Sequence, residues 1–435
     1  MAMASDIVLG GVSRRRIVAA SLIGTTIEWY DFFLYGAAAA LVFNKLFFPA
    51  ADPLTGAMLA FSTYALGFVT RPIGGLVFGH FGDRIGRKRL LMISLLLMGG
   101  STVLIGFLPT YAQVGYLAPA LLLLLRLTQG FAVGGEWGGA VLLVAEHTEA
   151  KNRGFWAGWP QVGVPAGNLL AAGALAILAL TQSEAAFLAW GWRIPFLLSA
   201  VLIAIGWWVR MAVNESPLFE ETRRLGQIHS APAIEVFKRR PRALAIGAGI
   251  RLAENISFYI ITAFSITYAT TVVKVSRSVA LDALALGAAV ELASMPLFSW
   301  LSDRIGRRPV YALGAAGMGV WAFGFFKLLD TGATPAVMLA IVVGLVLHGA
   351  MYGPQASFLA ELFPTNLRYC GMSLTSQATS IVAGSLAPII AIALLQWSHS
   401  ALPIAVYIAL ACAISVCSAL MAKETKGLTF AELDA

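Results

Sequence analysis

Twelve apolar runs govern this chain, each close to the ~20 residues that an α-helix needs to cross a bilayer. They lie at about 17 to 46, 55 to 80, 89 to 109, 114 to 145, 154 to 181, 188 to 212, 243 to 271, 279 to 301, 309 to 329, 335 to 360, 371 to 397 and 401 to 422, with mostly short connections. Of the 435 residues 59% are hydrophobic and only 12% charged, against roughly a quarter charged in soluble proteins. The expected fold is an all-α integral membrane protein with twelve transmembrane helices. Arg14-Arg15-Arg16 precede a run too long for a signal-peptide core, so the first helix is expected to be retained.

A net charge of +8 would suggest a nucleic-acid partner for a soluble protein, so the placement of the charge decides its meaning. With alternate connections assigned to one side, 22 of the 30 Lys and Arg share the side of both termini. Five lie opposite (Lys45, Arg193, Lys274, Arg277, Lys327) and three lie within spans (Arg71, Arg126, Arg251). The positive-inside rule then puts both termini in the cytoplasm and explains the basic pI without a nucleic acid. Five scattered histidines, and Cys370, Cys412 and Cys417 at or in the last two helices, form no metal or disulfide framework. No cofactor is implied. Neither the phosphate loop of an ATP-driven pump nor a repeated channel filter nor an enzyme nucleophile stands out.

Acids inside spans are the next constraint, because each costs roughly 2.5 to 3.5 kcal/mol at the bilayer centre and normally faces a wet cavity or the bundle interior. Within the first run, Glu28, Asp31 and Tyr35 recur at helical spacing and share one face. They mark an ion or substrate pathway, or carboxyls that tie helices together. The fourth run carries Arg126, Gln129 and Glu136, with Arg126 and Glu136 roughly 15 Å apart along the axis and thus at different depths. Glu136 and Trp137 stand amid Gly134, Gly135, Gly138 and Gly139, which either admit a water path to the carboxyl or permit close helix contact. The seventh run presents Arg251, Glu254, Asn255, Phe258 and Tyr259 as one stripe. There Arg251 either clamps a substrate carboxylate or pairs with Glu254 at spacing three. Gln161, Gln355, Gln377, Glu291 and His348 are further candidate lining groups, and Arg71 near the cytoplasmic end could merely snorkel.

Two loops repeat. Gly79-His80-Phe81-Gly82-Asp83-Arg84-Ile85-Gly86-Arg87-Lys88 returns as Ser299-Trp300-Leu301-Ser302-Asp303-Arg304-Ile305-Gly306-Arg307-Arg308, and Glu146 with Arg153 returns as Glu361 with Arg368. The chain thus divides into six-helix bundles at 1-213 and 243-435, the second ending in a short tail, joined by a polar linker at 214-242. Repeats of this kind place a substrate site at their interface. The loop charges Asp83, Arg84, Arg87, Glu146, Arg153, Asp303, Arg304, Arg307, Glu361 and Arg368 sit on one membrane face. Pairs formed there only when the cytoplasmic side is shut would bias one state of a rocking cycle.

The doubled loop in a twelve-helix chain resembles the major facilitator superfamily. Glu28-Trp29-Tyr30-Asp31-Phe32, Arg71-Pro72-Ile73-Gly74-Gly75 and Arg126-Leu127-Thr128-Gln129-Gly130 leading into Gly134-Gly135-Glu136-Trp137 look like its metabolite:proton symporter family. The resemblance implies proton-coupled import of an organic acid or of a zwitterion such as betaine or proline across the inner membrane. It also implies a monomer, with protons and a small molecule as its partners besides the lipid. A uniporter or exchanger is the mechanistic rival. In the related sugar porter branch an aspartate of helix one pairs with an arginine of helix four, which here implies Asp31 with Arg126. The 14 residues after Met421 are too few for the long coiled coil of osmosensing members.

Overall fold

The computed structural model describes residues 14–49, 53–211, 215, 220, 224 and 232–434, and among these every regular element is helical. That is what a lipid-embedded chain requires, since a helix satisfies its own backbone hydrogen bonds where no water can. The first half comprises α1 (Arg14–Ala38), α2 (Pro53–Ile85), α3 (Arg87–Phe107), α4 (Leu117–Glu146), α5 (Gly163–Thr181, preceded by a short helix at Arg153–Gly158) and α6 (Arg193–Met211). The second half comprises α7 (Pro241–Tyr259), α8 (Arg277–Ile305), α9 (Arg307–Asp330), α10 (Thr334–Ala360), α11 (Arg368–Thr379, resuming at Ala387–Ser398) and α12 (Leu402–Met421). Short helices at Pro232–Arg239 and Phe430–Asp434 lie in the linker and the tail.

The repeat read in the sequence has a backbone counterpart. Gly86 and Gly306 occupy equivalent turns between α2 and α3 and between α8 and α9, with φ of 108° and 118°. Other residues are strained there, so each loop needs its glycine to reverse direction within one residue. The π-helical segments Ala39–Phe43 after α1 and Ile260–Phe264 after α7 are likewise equivalent.

α4 packs on α2 and α3, as α10 packs on α8 and α9. The contact between α2 and α4 is backbone to backbone: a Cβ at Gly130 would meet the carbonyl of Gly67, and one at Gly134 the carbonyl of Arg71. The glycines of α4 therefore permit close approach. Across the halves α2 meets α11 and α5 meets α8, two contacts related by the same six-helix shift. Glu28, Asp31, Glu136, Glu254 and Glu291 face inward, while Leu180, Val320 and Trp397 project from the outer surface. This polarity is the reverse of a soluble protein's and suits lipid.

Candidate functional site

Between the halves lies a narrow cleft reached by Glu28 and Trp29 of α1, Arg71 of α2, Trp137 of α4, and Arg251 and Glu254 of α7. Arg251 pairs with Glu254 at 3.0 Å, one turn along its own helix, and also donates to Gln355 Oε1 at 2.6 Å. The two readings of Arg251 are compatible, because the pair itself borders the cleft. Glu254 further accepts from Asn255 Nδ2 at 3.0 Å and meets His348 Nε2 at 3.4 Å. Beyond it, His348 Nδ1 contacts Glu291. Arg71 does not snorkel: it is buried over the rings of Phe68 at 4.1 Å and Phe32 at 4.9 Å and faces the cleft. The Nε atoms of Arg71 and Arg251, Glu28 Oε2 and Gln377 Oε1 are buried without a hydrogen-bond partner. Orphaned polar atoms are rare in protein interiors, and four around one cleft point to a polar occupant.

Trp137 and Gln161 stitch the halves together. The indole donates to Gln161 Oε1 at 2.5 Å, and Gln161 Nε2 donates to the carbonyl of Tyr352 on α10 at 3.1 Å. Trp29 meets Phe258 and Phe68 meets Tyr259, each edge to face across the halves at 6.0 and 5.8 Å. These aromatic contacts close the flanks of the cleft.

The remaining first-half residues gather within their own bundle. Asp31 Oδ1 accepts from Ser199 at 2.8 Å, and Oδ2 is buried without a partner. Arg126 donates to Gln129 at 3.1 Å and lies 4.2 Å from the Tyr35 ring, while Gln129 donates to Thr102 at 2.7 Å. Tyr35 donates to Thr63 Oγ1 at 2.7 Å, and Thr63 in turn donates to the carbonyl of Ala60. The implied Asp31–Arg126 ion pair is not among the contacts of the described residues; Ser199 and Gln129 take its place. Tyr35 and Gln129, expected to bind substrate, and Asp31, expected to handle the proton, are not among the residues lining the cleft. Glu136 is held by Arg210, which also donates to the carbonyl of Leu91, and by Ser94 at 3.2 Å. Arg210 corrects the charge count, since it belongs to the bundle interior at 3% exposure and not to the cytoplasmic surface. An unpaired acid in α4 and Gly24 in α1, which leaves room for the guanidinium, were the available signals.

On the face carrying the termini the loop charges interlock across the halves. Arg153 pairs with Glu361 at 2.9 Å and Glu146 with Arg368 at 3.4 Å, a reciprocal exchange. Arg307 joins Glu361 at 3.3 Å and Asp303 at 2.6 Å, and Asp303 accepts from the backbone N–H groups of Gly154 and Phe155, both at 2.8 Å. Phe430 of the tail lies 3.8 Å from both Arg153 and Arg368. Arg84 contacts His80, and Arg304 lies over Trp300, so these two decorate the edge of the assembly. The side chains of Asp83 and Arg87 lie outside the described residues.

Glu361 ties this closure together. Burial raises its carboxyl, but Arg307 and Arg153 outweigh burial and hold it below its ordinary 4.5. A lowered acid stabilises the paired state above its ordinary value and loses that contribution only as pH falls through its own lower one. Closure is therefore expected to be insensitive to pH between about 5 and 8. Glu361→Gln, in contrast, takes the carboxylate from buried Arg153 and leaves Arg307 to Asp303 alone, and is expected to cost the closed state about 3 kcal/mol. Spin-label distances across this face should lengthen in the variant; an unchanged distribution would show that the pairs do not hold the gate.

Among the described residues, the twelve helices α1 to α12 in two equivalent halves, enclosing a charged cleft sealed at one end by crossed ion pairs, have the architecture of a secondary transporter. The chain belongs to the major facilitator superfamily, whose family model matches residues 21–388 and 256–428. It is 40% identical over 419 residues to the shikimate transporter of Escherichia coli (strain K12), covering 95% of each chain. It is 39% identical to an inner membrane metabolite transport protein of the same organism, again over 95% of each. To that organism's proline/betaine transporter it is 34% identical over 441 residues, 98% of this chain and 87% of the relative. Among solved structures the proton:xylose symporter XylE bound to 6-bromo-6-deoxy-D-glucose superposes with a TM-score of 0.80 at 18% identity, covering 97% of this chain and 98% of that one. The protein is thus a multi-pass membrane transporter and not an enzyme.

Proposed function

We propose that the protein is a proton-coupled symporter of the cell inner membrane, importing a small organic acid by alternating access. One observation supports the substrate class: Arg71 and Arg251, one from each half, turn guanidinium groups with unpartnered Nε atoms into the same cleft. Guanidinium groups bind a carboxylate through two parallel hydrogen bonds. Asn255, Gln377, Ser376 and Ser380 offer partners for hydroxyl groups, and Trp137, Tyr259 and Tyr352 offer flat apolar faces. A hydroxylated cyclic acid fits this mixture, in keeping with the name of the shikimate-transporting relative.

In this reading the halves 1–213 and 243–435 rock about the linker 214–242, with both termini in the cytoplasm and the crossed ion pairs as the cytoplasmic gate. Glu28, Asp31, Glu136 and Arg126 form the proton-handling set of the first half, and Gln161 and Gln355 brace the cleft. The transporter works as a monomer without nucleic-acid partners. A zwitterionic compatible solute is the second reading, favoured by Glu28 beside the aromatic rings, which suit a quaternary ammonium group. Counterflow in proteoliposomes with shikimate, citrate, 2-oxoglutarate, proline and betaine decides between them. Exchange of an acid alone supports the first reading and exchange of betaine or proline alone the second. Uptake unresponsive to an imposed pH gradient would leave a uniporter or exchanger.

A further inference from the structure

His348 stands between two acids from different helices. Its Nε2 meets Glu254 of α7 at 3.4 Å, and its Nδ1 contacts Glu291 of α8. The ring stacks on Tyr352 at 5.2 Å and lies 4.9 Å from Phe258. All three charged groups are buried, with exposures of 1%, 4% and 1% for His348, Glu254 and Glu291. A neutral imidazole has one N–H and donates to one carboxylate; the imidazolium donates to both.

Charge balance calls for one added proton, which the two-sided geometry places on the ring. The titratable and charged groups facing the ring are Arg251 and Glu254 of α7, Glu291 of α8 and Tyr352 of α10, with Glu28 and Arg71 across the cleft. Arg251 with Glu254 and Glu291 sums to one negative charge, which a single proton on His348 cancels. A buried site left with a net charge is costly, so the cluster is built to hold one proton.

We propose that His348 is the proton-binding site of the second half, and that Glu254 couples its charge to substrate at Arg251. The coupling rests on the symport reading above, but the protonation of the ring does not. Glu254 divides its two oxygens, one toward His348 and the other toward Arg251 and Asn255. An anion that draws Arg251 toward the cleft leaves Glu254 more fully to the imidazolium, and the anion's own charge acts in the same direction. Anion and proton then bind cooperatively, and by linkage each strengthens the other equally.

The test needs no substrate. The full chain, 15N-labelled at histidine and reconstituted in lipid nanodiscs, is titrated by NMR, with His348 identified by loss of its signal in His348→Asn. If that variant fails to fold, one retaining His348 while replacing His80, His147, His229 and His399 isolates the signal. Both ring nitrogens should carry protons at pH 7, and Glu291→Gln should reduce that share about tenfold. Arg251→Gln mimics withdrawal of the guanidinium and should lower the proton concentration that half-protonates the ring by about tenfold. A wild-type ring with one bare nitrogen at pH 7 overturns the assignment yet leaves symport to the first-half acids. An Arg251→Gln titration identical to wild type overturns the coupling. If counterflow later shows uniport, the ring's protonation stands and only its role in transport falls.

Discussion

Arg251→Gln is expected to raise the apparent KM for an anionic substrate about 10- to 100-fold, equivalent to about 1.4–2.8 kcal/mol. Glu254 at 3.0 Å and Gln355 at 2.6 Å both contact Nη1 of the guanidinium, so its unpartnered Nε stays open to a ligand. Gln approximates the size and hydrogen-bonding capacity but removes the charge. It also leaves Glu254 with only His348 and Asn255, which makes the cleft more negative and adds repulsion to the lost contact. A betaine tested in parallel should lose less, because its carboxylate forfeits the same contact while its quaternary ammonium gains from the more negative cleft. Uptake kinetics in proteoliposomes measure both. Unaltered KM for every acid of the panel would remove Arg251 from the site, and the carboxylate reading with it.

The fold and the charged loops that pair across the halves were legible because each follows from a local rule applied twice. Apolar length marks a span, and the recurrence of Asp-Arg-Ile-Gly-Arg at positions 83–87 and 303–307 marks the halves. What a repeat does not tell is which copy pairs with which. Glu146 and Arg153 sit seven residues apart, as do Glu361 and Arg368, and either pairing within a half or exchange across halves would satisfy the spacing. The structure shows exchange, as a pseudo-two-fold interface allows: if Arg153 meets Glu361, its counterpart Arg368 meets Glu146.

Interior partners were harder to read, for a different reason. Arg210 ends α6 with the sequence signature of a cytoplasmic anchor, but it turns inward because Glu136 needs a cation and Gly24 leaves space for one. His348 and Glu291 are separated by 57 residues, and their meeting depends on how α8 packs on α10. The face shared by Glu28, Asp31 and Tyr35 was also legible as polar, but only Glu28 of the three borders the cleft. The others reach into the first-half bundle, where Ser199 and Thr63 receive them.

Asp31→Asn is expected to abolish substrate accumulation driven by a pH gradient while sparing exchange of labelled for unlabelled substrate. Asp31 is fully buried, with one oxygen on Ser199 and the other without a hydrogen-bond partner, so Oδ2 is the atom open to a transported proton. Glu136, by comparison, has its oxygens on Arg210 and Ser94. Asn keeps the Ser199 contact and removes titration, fixing the residue in its proton-loaded form. A carrier locked that way binds and exchanges but does not release the proton that resets an accumulating cycle. Glu136→Gln, which strands Arg210 in the bundle, should instead lower stability and reduce exchange and accumulation together. The two substitutions therefore separate coupling from scaffolding in one assay. If Asp31→Asn still builds a gradient with proton uptake intact, coupling passes to Glu28 or to the second-half cluster, and equal loss of exchange and accumulation would make Asp31 a structural residue.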